Sequence, residues 1–391
     1  MVWRAEVDKV RLGIIGYGSM GSSHGDYVVK GEVPGCELTA VYDNDSSKRE
    51  KAKENLPGNV AIFDDLDSLL TSGLVDAVLI ATPHYFHPDI AIKAFSHGLH
   101  VLCEKPAGVY TNQVEEMNRA AENSRKIFSM MFNQRTNPIY KKAKEIVSSG
   151  ELGDLKRCVW IITDWYRPQS YFDAGTWRAT WKGEGGGVLL NQDPHQLDLW
   201  QWICGMPVSI SAQCYFGKYH DIEVEDDVTA FAEYENGATG VFITSTGEAP
   251  GTNRFEISGD MGKLVIENDK LTFHRLEMSE RKFNREFRGG FGQPEFTVED
   301  IAIEGENPRH KGITINFVNA ILHGEELIAP GPEGIKSLML SNAMLLSSWL
   351  DKKLDLPING DLYKKLLDLK IRESTIEKKV SDVTLDTKGT Y

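Results

Sequence analysis

Residues 10–15 form a short, mostly apolar run that opens directly into Gly16-Tyr17-Gly18-Ser19-Met20-Gly21. A lone G-x-G-x-x-G is weak evidence. Here it follows a strand-like run, opens a helix-competent stretch over 19–30, and precedes a second β-rich run over 37–43. That second run ends in Asp43, 22 residues after Gly21. Each part has a physical task. Gly16 permits a tight turn, Gly18 lets backbone N–H groups approach a pyrophosphate, and Gly21 lets the helix pack on the strand. Tyr17, Ser19 and Met20 lie on the same turn, and the helix N-terminus faces the phosphates. Asp43 is placed to accept from adenosine ribose hydroxyls and, with Asp45, to repel a 2′-phosphate. The turn therefore predicts NAD rather than NADP.

The alternation continues through the first third. Strands are expected over 77–81, 100–103 and 127–132, and helices over 46–55, 88–97 and 111–124. Alternating β and α elements predict a doubly wound parallel sheet. The pattern changes near Arg135. A helix over 138–149 is followed mostly by strands, over 156–163, 208–216, 227–234, 238–245, 254–258, 263–267 and 271–275, with a hairpin signal at Asn236-Gly237. Helices return over 313–323 and 333–352, followed by a charged tail. The fold class is α/β: an N-terminal Rossmann domain (1–134) and a C-terminal α+β domain (135–391) with a large, mostly antiparallel open sheet.

Composition excludes several partners. The chain carries 43 Lys and Arg against 57 Asp and Glu, a net charge of −14, so duplex nucleic acid and an anionic membrane surface are poor fits. No apolar stretch approaches a membrane span, and the N-terminus has acids where a leader needs a basic and an apolar region. Five scattered cysteines without a C-x-x-C pair fit reduced thiols, and the expected location is cytoplasmic. His84 and His87 form an H-x-x-H without a third ligand, so no metal is expected.

Lys105, in Glu104-Lys105-Pro106, falls at the carboxyl end of an expected parallel strand, where open α/β sheets bind ligands. An amine there is placed to reach a substrate hydroxyl beside a nicotinamide, although spacing alone favours a surface lysine. The segment from Gly185-Gly186-Gly187 to Asn191, Asp193, His195 and Asp198 is the most unusual in the second half. If it is one helix, Asn191, His195 and Asp198 share a face, an arrangement suited to acid–base work; Pro194 is positioned to bend it. The glycines would permit close backbone approach to a ligand. Trp165, Trp177 and Trp181 crowd the preceding stretch with Arg167, Arg178 and Lys182. These rings suit either a sugar-stacking platform or the core. Residues 281–292 read as a solvated loop or a lid.

In this order, the three motifs resemble the glucose–fructose oxidoreductase/inositol dehydrogenase (Gfo/Idh/MocA) family. Ala81-Thr82-Pro83 with His87, residues 101–106, and Gly150-Glu151-Leu152-Gly153 support the resemblance, which runs from about residue 8 to about residue 350. It implies cofactor contacts at Thr82, Pro83, His87, Glu104 and Lys105, with a structural role for His87 equally open. It also implies Lys105 and His195 as catalytic residues, with Trp165, Trp177, Arg178, Asn191 and Asp193 around the substrate. The family usually has Asp where this chain has Asn191, and commonly glycine where it has Asp193. Whether Asp193 takes over the carboxylate role is open. The implied activity is hydride transfer from a secondary hydroxyl of a sugar, glycoside or cyclitol to NAD. The alternatives are glycoside cleavage through transient oxidation by retained NAD, and non-catalytic NAD(H) binding. A sheet face lacking helical cover predicts a homodimer or homotetramer.

Overall fold

The computed structural model describes residues 9–378. The chain divides into two compact units. Within the described residues, the first runs to Thr136 and resumes over Pro308–Leu338; the second comprises Asn137–Asn307 and residues 339–378.

In the first unit β1 (Val10–Ile15), α1 (Ser19–Val29), β2 (Cys36–Tyr42), α2 (Ser46–Asn55), β3 (Ala61–Phe63), α3 (Leu66–Thr71) and β4 (Ala77–Ile80) are followed by α4 (His87–Ser96), β5 (His100–Cys103), α5 (Thr111–Ser124) and β6 (Phe128–Met130). The six strands are all parallel, in the order β3-β2-β1-β4-β5-β6. The order reverses between β1 and β4, so the glycine turn after β1 opens at the switch point where such sheets take ligands. Every residue of β4 is buried, as a strand covered on both faces requires. Gly98, at φ +74°, follows the end of α4. The segment β3–α3 has no counterpart in the sequence reading. Three residues are too few to show a period, although Asp65 caps α3 by accepting from the Ser68 amide at 2.7 Å.

The second unit begins with α6 (Pro138–Ser148), β7 (Leu155–Ile162), α7 (Gln169–Asp173), α8 (Val188–Asn191) and α9 (Pro194–Cys204). It continues with β8 (Ser209–Phe216), β9 (Glu225–Glu233), β10 (Thr239–Ser245), β11 (Asn253–Gly259), β12 (Gly262–Glu267), β13 (Lys270–Leu276), α10 (Glu280–Glu286) and β14 (Phe296–Asp300). The chain then returns to the first unit with α11 (Arg309–His323). It passes through α12 (Gly334–Leu350), inside which the division falls, and ends with β15 (Leu354–Asp355) and α13 (Gly360–Glu373). The nine strands run β14-β13-β12-β11-β7-β10-β9-β8-β15, antiparallel except for β7 beside β10. Trp160 on β7 stacks on Phe255 of β11 with centroids 4.2 Å apart. Opposite-face positions are more open: Tyr215 is 49% and Phe231 42% exposed.

One reading is corrected. A single boundary near residue 135 misses the return of 308–338: Thr314 of α11 hydrogen-bonds Tyr27 of α1 at 2.7 Å, a contact no local pattern signals. α13 also has no counterpart in the sequence reading, whose charged tail, a solvated extension or an oligomer arm, runs from residue 370. Asn359 caps α13, which buries Tyr363 and Leu367 one turn apart; residues 379–391 lie outside the described part. Over 281–292, α10 has no buried residue.

Candidate functional site

The three glycines of the first turn are required for three different reasons. Gly16 adopts φ +92°, and a Cβ there would meet the Ala81 carbonyl oxygen at 2.7 Å. A Cβ on Gly21 would lie 1.9 Å from the Gly16 carbonyl oxygen. At Gly18 a Cβ would meet nothing within 4 Å. Gly16 and Gly21 therefore serve the fold, whereas Gly18 leaves room beside the start of α1. No side chain caps that helix, so its first amides keep their donors for a ligand. Asp43 is 8% exposed. One of its carboxylate oxygens accepts from the Tyr17 amide at 2.7 Å and the other from the Asp45 amide at 2.9 Å. The acid that would take the ribose is thereby fixed to the glycine turn. These residues fit a dinucleotide: an uncapped helix start, open space at Gly18, and an oriented carboxylate.

Thr82 and Pro83 follow β4, and Lys105 follows β5, half-buried, with a cis peptide bond to Pro106. His87 joins the two loops. Its Nε2 lies 2.7 Å from the Thr82 carbonyl oxygen and its Nδ1 2.8 Å from that of Pro106. Burial outweighs the two carbonyls and pushes its pKa down, so at neutral pH it donates to one of them at a time. Glu104 is held from behind: His24 Nε2 lies 2.7 Å from its Oε1, and His24 Nδ1 lies 2.6 Å from the Tyr27 hydroxyl. Burial would raise the Glu104 pKa. The His24 bond, with the charges of His24, His310 and Lys105, outweighs it and holds the carboxyl at about 2. His310 is pushed down to about 4, chiefly by burial. The sequence reading missed His24 and Tyr27. One signal exists: His24 shares the buried face of α1 with Gly21, Gly25 and Val28, where a small apolar residue would be ordinary.

In the second unit the third glycine of the triple has a task in the fold. A Cβ on Gly187 would lie 2.0 Å from the Glu225 backbone oxygen, so at this glycine the close approach is to β9. The Glu225 carboxyl accepts from the Gly187 and Leu189 amides at 2.8 and 3.1 Å, capping α8 from a distant strand. Burial, aided by the charge of Glu184, pushes Glu225 up to about 8. The expected single helix face fails. α8 stops at Asn191 and α9 starts at Pro194 (helix position N1), so Asn191 and His195 stand on separate helices. Asp193, His195 and Asp198 are all buried.

The carboxylate beside Asn191 comes from Glu184. Its Oε1 accepts from the Asn191 side-chain amide and its Oε2 from the Ala179 backbone amide at 2.5 Å. Asn191 is thus oriented with its nitrogen inward. Its oxygen takes the Tyr171 hydroxyl at 3.4 Å, and that hydroxyl accepts from Arg178 at 2.8 Å and Gln192 at 3.1 Å. Trp165, Trp177 and Arg178 are half-buried in the same segment. Trp181 is not part of a platform: it is buried against Phe216 and Trp349. The structure brings Trp165, Tyr171, Trp177, Arg178 and Asn191 into one network. Lys105 belongs to the first unit and His195 to the second.

Residues 10–132 match the family model described as "Oxidoreductase family, NAD-binding Rossmann fold", and residues 140–265 match the GFO/IDH/MocA C-terminal domain. The chain belongs to the Gfo/Idh/MocA oxidoreductase family. As a member it carries that family's NAD-binding Rossmann domain. One curated Gfo/Idh/MocA relative, inositol 2-dehydrogenase from Corynebacterium glutamicum (strain R), is 28% identical over 235 residues, 58% of this chain and 64% of the relative. The chain thus matches less than two thirds of that relative's length. An oxidoreductase from Thermotoga maritima shares the fold at a TM-score of 0.75 and 27% identity, over 89% of this chain and 98% of that one. A WlbA dehydrogenase from Chromobacterium violaceum, solved with NADH and UDP-GlcNAcA, gives 0.76 and 25%, over 90% and 97%. Among the described residues, no helix is long and apolar enough to cross a membrane.

Proposed function

We propose that this protein is an NAD-dependent dehydrogenase that oxidises a secondary hydroxyl of a sugar, glycoside or cyclitol. The observation that carries the reading is the oriented amide of Asn191. Glu184 fixes its nitrogen, so its oxygen faces the aromatic segment as a directed acceptor. A polyol needs this pairing of ring faces for its C–H side with directed polar groups for its hydroxyls. The inositol 2-dehydrogenase relative and the sugar-nucleotide ligand of the WlbA dehydrogenase support the class.

In this reading the Gly16–Gly21 turn, Asp43, Thr82, Pro83, His87 and Glu104 hold NAD, which supplies the hydride acceptor. Lys105 reaches the reacting hydroxyl from the end of β5, its turn braced by Glu104, His24 and His87. His195 accepts the hydroxyl proton at an imidazole nitrogen, and Trp165, Trp177, Arg178, Asn191 and Asp193 hold the substrate. Burial of His195 excludes competing water from that transfer. A polyol panel followed by NADH absorbance tests the reading: stoichiometric NADH on pyranosides or inositols supports it. Turnover without NADH in solution, or preference for a simple alcohol, overturns it.

The open face around Phe231 and Tyr215 supports assembly into a homodimer or homotetramer. Light scattering at micromolar concentration should exceed the 43.7 kDa of one chain; a 43.7 kDa particle would refute the assembly.

A further inference from the structure

Two guanidinium groups in the aromatic segment have no carboxylate of their own. Arg167 sits 5.3 Å from the Trp165 ring centroid and 5.2 Å from that of Tyr171; Arg178 sits 4.6 Å from Tyr171 and 4.7 Å from Trp177. Arg167 donates to the Tyr166 carbonyl and Arg178 to the Tyr171 hydroxyl. Among the described residues, neither takes part in an ion pair. Of the half-buried arginines elsewhere, Arg11, Arg254 and Arg275 pair with carboxylates, whereas Arg49 donates to the Asp43 and Asn44 backbone carbonyls. Nearby acids do not fill the role. Glu184 feels the charge of Arg178 and Asp164 that of Arg167, but Glu184 spends its oxygens on Ala179 and Asn191 and neither acid reaches ion-pair distance. In a chain with 57 acidic side chains, two adjacent guanidinium groups are half-buried with no carboxylate at ion-pair distance.

The backbone of Arg167 is also fixed. Its amide donates to Thr246 at 3.0 Å, and its carbonyl lies 2.8 Å from His220 Nε2. His220 Nδ1 lies 3.0 Å from Asp226 on β9, which also accepts from the Lys218 and Tyr219 amides. Arg178 is tied through Tyr171 to Asn191, so both cations lie close to the directed acceptor described above. Stacked guanidinium groups with free N–H edges suit planar, bidentate recognition of an oxyanion.

We propose that the hydroxyl-bearing substrate of this site carries a carboxylate or phosphate group, bound by Arg167 and Arg178 beside Tyr171. This rests on the dehydrogenase reading and narrows its substrate class. Matched sets test it: glucose, glucuronate and glucose 6-phosphate; galactose, galacturonate and galactose 6-phosphate; myo-inositol and an inositol monophosphate. Each is measured by NADH formation and, independently, by calorimetric binding. An anionic member of a set should exceed its neutral parent by about tenfold or more, the scale of a charge-assisted Arg contact. The uronate and phosphate arms tell the two sources apart. R167Q and R178Q should each shrink that ratio. Neutral parents that react and bind as well as their anionic partners would overturn the inference and leave the dehydrogenase reading standing. A panel without NADH formation would sink that reading instead, while tighter binding of anions, lost in R178Q, would still support this one. No binding of any anionic member would overturn it.

Discussion

The glycine turn of the first unit and the Asn191 network of the second reach polar recognition by opposite means. The turn works through backbone: amides of an uncapped helix, space where a side chain is missing, and one carboxylate pinned by two amides. The Asn191 network works through side chains from 171 to 192, with the neighbouring helix capped from β9 by Glu225. A backbone site depends on local spacing and tolerates most side-chain change. A side-chain site depends on long-range packing and on the protonation of buried acids.

The contrast is broken most directly at Lys105. Lys105→Met should lower turnover by about 100-fold or more, the usual cost of losing an acid–base group. NAD affinity, measured by fluorescence titration, should move little. A variant keeping half its activity removes Lys105 from the chemistry.

Cofactor choice sharpens it next. The pinned Asp43 should favour NAD over NADP by about tenfold or more in kcat/KM, since a phosphate beside a partly buried carboxylate is repelled. Equal values would mean that Asp43 does not meet the ribose.

Within the turn, two glycines should separate. Gly18→Ala should leave the melting temperature unchanged, because its Cβ meets nothing, and weaken NAD binding several-fold. Gly21→Ala should lower the melting temperature itself, because its Cβ would strike the Gly16 carbonyl. Matching melts for both variants would refute the division of roles.

The smallest effect concerns Glu225. Its folded pKa of about 8 lies above the unfolded value of 4.5, so the folded state holds the proton more tightly. That stability is complete below the unfolded value and is lost as pH rises towards the folded one, at up to about 1.4 kcal/mol per pH unit. Glu225→Gln mimics the protonated carboxyl, so thermal melts should match wild type at pH 5 and exceed it at pH 8. The same difference at both pH values would show that Glu225 does not titrate in that window.

The sequence reading succeeded where interactions are local. The spans of β1, α2, β5 and α5 are those their residues predict, because apolar runs and charged helical stretches report burial directly. The turn at Asn236-Gly237 joins β9 to β10 with Gly237 at φ +83°. It failed where a partner comes from far along the chain. Nothing near Gly187 announces that Glu225, 38 residues further on, will press on it. Trp181 reads like Trp165 and Trp177 until packing buries it.

By itself, then, the sequence determined a parallel dinucleotide-binding sheet, its glycine turn with Asp43, and a second, mainly antiparallel sheet, since these rest on periodicity and on glycines at fixed offsets. Only the tertiary structure decided the return of α11 to the first unit, the His24–Glu104 brace behind Lys105, the break between α8 and α9, and the unpaired arginines around Tyr171. Those depend on which distant residues share a buried space, and burial sets both the hydrogen-bond partners and the charge of each group it encloses.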